Sequence, residues 1–345
     1  TIVAAPLTNY NVLVADQNLK NNSFVTLTNT NVTRAGSFYD ANVTGMNIKL
    51  NTRNNKYFVS GNTNLSNKFY TDKTKTGYNY GINFGKQTGS FVFTSAYFEE
   101  SNTYDPNDLG FNAVNNKRVI EASANYRIFE PFWKLNQMVI TTTLSYNRLY
   151  KPNAYTNTYL YLAGYTVSNK FHAFGFSANG TVTHGYDYFE PRNEGSYFVT
   201  PKWFDFGGWI STNYQKRIAL DINVNYVVLD RDKWEEYYYT IGPRFRLTDK
   251  LFLVYQWEQY FQNNGQGYAI AFGEPVEVTD AIVFGSRDLV NTTNTIDLKY
   301  TITKPEKSWQ ISVPLQFVLP HRGGQMDNNI SEVSTVIDGA IGLNA

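Results

Sequence analysis

The sequence predicts an all-β chain, a transmembrane antiparallel up-and-down β-barrel with about 17 strands in view, on three observations. Apolar and polar side chains alternate with a two-residue period through almost all of the 345 residues, while helical periodicity is scarce. The alternating segments are long, mostly reaching the ~9–11 residues that a tilted membrane-spanning strand needs. The connections between them alternate between short and long, as periplasmic turns and extracellular loops do in outer-membrane barrels. No stretch approaches the ~20 continuous apolar residues of a transmembrane helix.

Composition agrees and removes several alternatives. Aromatic residues make up 17% of the chain and charged residues another 17%, which is too apolar and aromatic for a disordered segment. Thirty Lys and Arg stand against 29 Asp and Glu, so the net charge of +1 offers nothing to nucleic acid. The absence of Cys excludes disulfide scaffolds, thiolate zinc sites and thiol catalysis. The mean hydropathy of −0.40 would read as soluble, but an average hides a two-faced strand.

Taken in order, strands are expected at 11–17, 23–33, 42–51, 57–66, 77–86, 90–98, 117–129, 134–149, 157–167, 170–184, 203–214, 217–229, 236–248, 251–262, 278–286, 290–303 and 307–319. The alternation is clearest in four of them. Tyr78, Tyr80, Ile82 and Phe84 face away from Asn79, Gly81, Asn83 and Gly85, and Ile120, Ala122, Ala124, Tyr126 and Ile128 oppose Glu121, Ser123, Asn125 and Arg127. Leu220, Ile222, Val224 and Tyr226 oppose Asp221, Asn223 and Asn225. Ile296, Leu298, Tyr300 and Ile302 oppose Thr295, Asp297, Lys299 and Thr301. Short turns are expected near Asn18–Asn22, Thr52–Lys56, Gln87–Gly89, Glu130–Trp133, Ser168–Lys170, Gln215–Arg217, Thr248–Lys250 and Arg287–Leu289. Longer loops fall at 34–41, 67–76, 99–116, 150–156, 185–202, 230–235 and 263–277.

A charge at the bilayer midplane of a barrel costs ~2–4 kcal/mol for Arg or Lys, so mid-strand charges belong on the lumen face. Arg127, Asp221, Arg244, Arg246, Asp297 and Lys299 are accordingly expected there, with Asn223 and Asn225. Aromatics gather towards strand ends, among them Trp133, Tyr150, Trp203, Trp234, Tyr237, Tyr260 and Trp309, as interfacial girdles do.

Both ends suggest a part of a larger, even-stranded barrel. Seventeen is odd, the strand at 11–17 implies an earlier upward one, and no closing strand follows 319. Residues 1–319 therefore read as barrel and 320–345 as a tail, any signal peptide having been removed before Thr1.

Three stretches carry a family resemblance: Pro6–Arg34, Tyr39–Leu50 and, most specifically, Phe189–Tyr226, which reads FEPRNEGSYFVTPKWFDFGGWISTNYQKRIALDINVNY. They resemble the DUF5916 family of Bacteroidota outer-membrane proteins, over about residues 6–303. The resemblance implies a large β-barrel that follows an N-terminal carbohydrate-binding domain of the family 9 type, a domain not seen in these 345 residues. It lends no catalytic residue.

Nothing in the chain proposes catalysis by itself. His172, His184 and His321 make no metal spacing, the first two lying twelve residues apart on one expected strand. H-E-x-x-H, G-x-S-x-G, P-loop and dinucleotide motifs are missing. Two loops are candidates for binding. Residues 184–194 mix aromatics with Tyr186, Asp187, Glu190, Arg192 and Glu194, a blend that suits sugars. Residues 230–236 bring Asp230, Asp232 and Glu235 within reach of a calcium ion, without the spacing of an EF-hand. For either, the plainer reading is a solvated loop. The expected role is an outer-membrane conduit or anchor in glycan or nutrient handling; a scaffold subunit of a larger outer-membrane complex is the alternative, and a hydrolase stands third. Expected partners are membrane lipid and lipopolysaccharide, other outer-membrane proteins and carbohydrate, with no resident cofactor.

Overall fold

A computed structural model describes residues 5–189, 195–230, 234–268, 281–304, 307–320 and 332–335, with side chains over 5–189, 195–230, 234–265 and 288–300. Among the described residues every regular element is a β-strand, and seventeen of the nineteen belong to one antiparallel sheet. The chain divides into two compact units, Thr1–Tyr126 with Thr142–Tyr159, and Arg127–Thr141 with Leu160–Ala345.

The first unit is a meander of β1 (Thr8–Leu19), β2 (Ser23–Arg34), β3 (Asp40–Asn51), β4 (Tyr57–Phe69), β5 (Thr74–Lys86), β6 (Phe91–Glu100) and most of β7 (Lys117–Ile128), each paired with its successor. It also takes the later residues of β8 (Leu135–Leu149) and the first of β9 (Tyr155–Ser168). Its tightest turn shows the local logic. Asn21 and Asn22 both adopt positive φ, 60° and 54°, which gives the reversed turn whose twist matches the flanking strands. Asn tolerates that conformation better than other non-glycine residues.

The second unit continues with β10 (Ala173–Thr181), β13 (Trp203–Ser211), β14 (Ile218–Leu229), β15 (Glu235–Arg246), β16 (Leu251–Tyr268), β17 (Ala281–Lys304) and β18 (Lys307–Pro320), again paired in succession. Between β10 and β13 a separate ribbon is formed by β11 (Gly185–Asp187) and β12 (Phe198–Thr200). β19 (Glu332–Thr335), within the expected tail, pairs with Ala281–Phe284 of β17.

Two expectations need correction. The strands expected at 278–286 and 290–303 are, from Ala281 on, one strand, β17, with 278–280 outside the described residues, and Arg287–Leu289 is not a turn. The break in alternation that suggested a turn lies opposite an irregularity in β16 between Gln262 and Gly265. There Asn264, at φ 53°, donates its N–H to the Asp288 carboxylate at 2.8 Å, so the sequence signal was a bulge. The strand expected at 170–184 is shorter, and His172 and His184 both lie outside β10.

Among the described residues, the buried hydrophobic set is small: Val32, Ala41, Val92, Tyr104, Leu149 and Ala219. The buried polar set is larger and includes Ser66, Asn79, Glu99, Glu100, Ser145, Asn213 and Gln259. Leu27, Met46, Leu65, Ile82, Phe84, Ile120, Leu144, Phe206, Val224 and Leu298 are meanwhile exposed. On β5 the split follows the two-residue period strictly, with Asn79, Gly81 and Gly85 buried and Tyr80, Ile82 and Phe84 exposed. On most strands the exposed apolar residues share one face, although β1 is exposed along both faces and Glu99 and Gln259 are buried on the apolar one.

Candidate functional site

The polar face of the first unit carries the most developed arrangement of functional groups. Register aligns Gly45, Asn64, Asn79 and Glu100 on neighbouring strands β3 to β6, followed by Lys117 on β7. The Asn64 amide donates to Asn79 Oδ1 at 2.8 Å, and the Asn79 amide to Glu100 Oε2 at 3.4 Å. Asn112 donates to the other Glu100 oxygen at 3.0 Å, and Lys117 lies 3.9 Å from it. The row is a ladder of amides ending in a carboxylate.

A connection between β6 and β7, residues 101–116, folds back over this face. Its start is fixed by reciprocal bonds, Ser101 N–H to the Tyr78 carbonyl and Tyr78 N–H to Ser101 Oγ, each 2.9 Å. Gly77 makes the approach possible: a Cβ there would stand 2.2 Å from the Tyr104 backbone nitrogen. Tyr104 is consequently buried, and the next N–H, that of Asp105, donates to Ser66 Oγ at 3.1 Å. Within the loop, Asn115 donates to the Asn102 and Tyr104 carbonyls, and Asn107 braces Asn112 in both directions.

Two carboxylates then latch the loop to two strand cations. Lys68 Nζ lies 2.7 Å from Asp105 Oδ2 and 3.3 Å from Asp108 Oδ2. Arg34 meets Asp108 Oδ1 at 2.5 Å, and the Tyr39 hydroxyl donates to the same oxygen at 3.1 Å. Among the described residues the second Asp108 oxygen accepts no hydrogen bond, and Lys68 Nζ lies 3.3 Å from it. The Tyr39 ring lies beneath both cations, 4.5 Å from the Arg34 guanidinium carbon and 5.2 Å from Lys68 Nζ. Only 8% of the Asp108 side chain, 11% of Lys68 and 15% of Arg34 is exposed, so this is a desolvated cluster. Burial pushes the Asp105 carboxyl up, but the bonds from Lys68 and the Asn107 N–H outweigh it and hold it below its ordinary value. Burial and the nearby Asp108 charge raise the Tyr39 phenol.

The second unit holds most of the residues singled out in sequence. Asp221 of β14 accepts from Arg244 Nε of β15 at 2.6 Å, from Ser211 Oγ at 2.7 Å and from the Tyr214 hydroxyl at 2.5 Å. The Arg244 guanidinium carbon lies 4.6 Å from the Tyr214 ring centre, and Arg246 stacks at 5.2 Å on Phe252. Asn223 and Asn225 follow Asp221 at two-residue steps and pair with Trp209 and Gly207. Asp297 and Lys299 are opposite Val254 and Phe252, the residues that β16 also pairs with Arg244 and Arg246. Arg127 packs its guanidinium 5.8 Å from the Phe129 ring centre. All eight lie opposite the exposed apolar residues of their own strands.

The two candidate loops are only partly described. Tyr186 and Asp187 lie on the β11–β12 ribbon, where Tyr186 and Tyr188 pack against Tyr197 at 5.2 and 5.5 Å and Asp187 accepts from the Phe189 N–H. Glu190, Arg192 and Glu194 lie outside the described residues. Asp230 donates its N–H to the Lys202 carbonyl, and Glu235 accepts from Tyr237 and Asn263, while Asp232 lies outside the described residues. Among the described residues no three His, Cys, Asp or Glu side chains converge as a metal site requires.

Sequence reasoning missed Arg34, Tyr39, Lys68, Asp105 and Asp108. The available signal was the length of the loop and its Tyr104-Asp105-Pro106-Asn107-Asp108 run, since connections longer than ~12–15 residues tend to be functional.

In comparisons with known proteins, a family model described as "Domain of unknown function (DUF5916)" matches residues 1–314. Neither a curated protein nor a solved structure matches the chain.

Proposed function

The chain belongs to the DUF5916 family, and from that premise we propose that it is an integral outer-membrane β-barrel acting as a conduit or anchor for glycan or nutrient handling at the cell surface. The observation that carries this reading is the inverted partition of side chains, polar groups buried and Ile, Leu, Val and Phe exposed along strand after strand. A continuous exposed apolar face of that extent is a liability in water and a requirement in lipid. Trp133, 84% exposed at a short turn, suits an interfacial anchor.

The polar faces would line the lumen. Cations and carboxylates pair there, Arg244 with Asp221 and Arg34 and Lys68 with Asp105 and Asp108, so strong ion selectivity is not expected. In the Asn64–Asn79–Glu100 ladder, Asn79 and Glu100 are buried beneath the loop over 101–116, which would narrow the passage. The test is single-channel conductance of the full-length protein in a planar bilayer, with neutral oligosaccharides added. Stable open steps that sugars block support the conduit; a bilayer that never conducts overturns it.

A second reading, a scaffold subunit in a larger outer-membrane complex, draws on one specific observation. Asn29, Asn42 and Thr44 hydrogen-bond to one another on the outward face of β2 and β3, in line with Leu27 and Met46. Amides on that face suit a protein neighbour better than acyl chains. Partner chains eluting with the protein at fixed stoichiometry would favour it.

A further inference from the structure

The outward face of the first unit carries one charged cluster that the lumen reading does not use. Glu99 and Arg118 stand opposite each other on β6 and β7, on the same face as exposed Tyr80 and Ile120. Arg148, two steps beyond Tyr146 and four beyond exposed Leu144, projects from β8 on that strand's outward face. All three are at the ends of the strands that carry the longer loops. Arg118 Nε bonds Glu99 at 2.7 Å, and its Nη1 bonds Asn153 Oδ1 at 2.9 Å. Arg148 Nε bonds the same Asn153 oxygen at 2.8 Å, and its other nitrogens reach the Asn153 carbonyl and the Tyr146 hydroxyl. Two guanidinia therefore converge on one neutral oxygen, and the one carboxylate of the cluster, Glu99, bonds Arg118 from the β6 side. Tyr78 and Tyr150 close one side, their hydroxyls 3.0 Å apart, and the Tyr150 ring centre lies 5.5 Å from the Arg118 guanidinium carbon.

We propose that Arg118 and Arg148 form a seat for the phosphate monoester of a membrane lipid headgroup, with Asn153 Oδ1 standing where an anionic oxygen would be held. Two planar guanidinia present a fork of N–H donors to that position, and a charged acceptor gains roughly twice what the amide oxygen does. The surrounding tyrosines match the level at which headgroups meet acyl chains, with an apolar ring body and a polar tip. The cluster has one guanidinium more than it has carboxylates, so an arriving phosphate completes its charge balance instead of displacing an ion pair.

This inference rests on the membrane reading above. The experiment uses the full-length protein reconstituted in zwitterionic nanodiscs and titrated with dioctanoyl phosphatidic acid, dioctanoyl phosphatidylcholine and inorganic phosphate. Preferential binding of the phosphatidic acid, weakened on the order of tenfold or more in Arg148→Gln, is the expected result. Asn153→Asp serves as a second variant that keeps both cations. Its new carboxylate occupies the seat, and lipid selectivity should disappear while the turn at 150–154 remains braced. Unchanged selectivity in Asn153→Asp overturns the proposal, as does inorganic phosphate competing at equal affinity. A wild-type protein that will not enter a bilayer would overturn the membrane reading, whereas one that inserts without lipid preference overturns this inference alone.

Discussion

At the scale of single residues, the loop latch gives the most direct tests. Asp108→Asn removes the carboxylate that Arg34 and Lys68 share, leaving two desolvated cations with one partner between them. Breaking a buried pair in this way costs about 3–5 kcal/mol, so loss of thermal stability and protease cleavage within 101–116 are expected. Wild-type stability would mean that the latch is solvated and weak. Asp105 adds a pH dependence. Its carboxyl is held below the ordinary value, so its stabilising contribution is complete above the unfolded carboxylate pKa of ~3.9 and is lost as pH falls through the lower folded one. Relative to an unstructured control peptide at the same pH, pepsin should therefore spare the loop at pH 5 and cut it near pH 2, and Asp105→Asn should show the same relative rate at both. Sequence alternation put Asp221 and Arg244 on one face because that is a property of a strand by itself. The latch was invisible because it joins residues 34, 68 and 108 through a loop whose path no periodicity encodes.

At the scale of elements, β5 is where the two faces can be weighed against each other. Ile82→Lys places a charge on the exposed apolar face, where a bilayer midplane would impose ~2–4 kcal/mol, whereas Asn83→Lys on the polar face should cost far less. Urea titrations of the protein folded into vesicles measure both, and equal costs would count against lipid on the Ile82 side. Gly77→Ala tests the loop from beneath. The added methyl meets the Tyr104 backbone at 2.2 Å, so 101–116 must lift, at about 1–3 kcal/mol. Protease should then cut that loop while the β-sheet circular dichroism stays unchanged. Most strands were legible to within a few residues because each has one apolar and one polar face. β17 was read as two strands because its break in phase answers a bulge in β16. The β11–β12 ribbon was missed because three-residue strands are too short to show a period.

At the scale of the whole molecule, the inverted partition turns the solvent into a structural variable. Each unit exposes leucine, isoleucine and phenylalanine along its strands and buries amides and hydroxyls. Removing detergent should precipitate the full-length protein, and restoring it before unfolding should recover the same hydrogen-exchange pattern; a monodisperse protein in plain buffer would contradict the membrane reading.

The pairing scheme also bears on how such a chain can be made. Within the first unit every strand from β1 to β7 bonds to the next in sequence, and the second unit departs from this where the small ribbon interrupts β10 and β13 and where β19 returns past β18 to pair with β17. Contacts are therefore local along the chain despite the large sheet, and low contact order shortens the search for partners. A ribbon of this kind can grow one hairpin at a time, each finished strand offering its open edge as the template for the next. Hydrogen-exchange protection would then spread outward from any nucleating hairpin, and assembly would need no distant segment to arrive first.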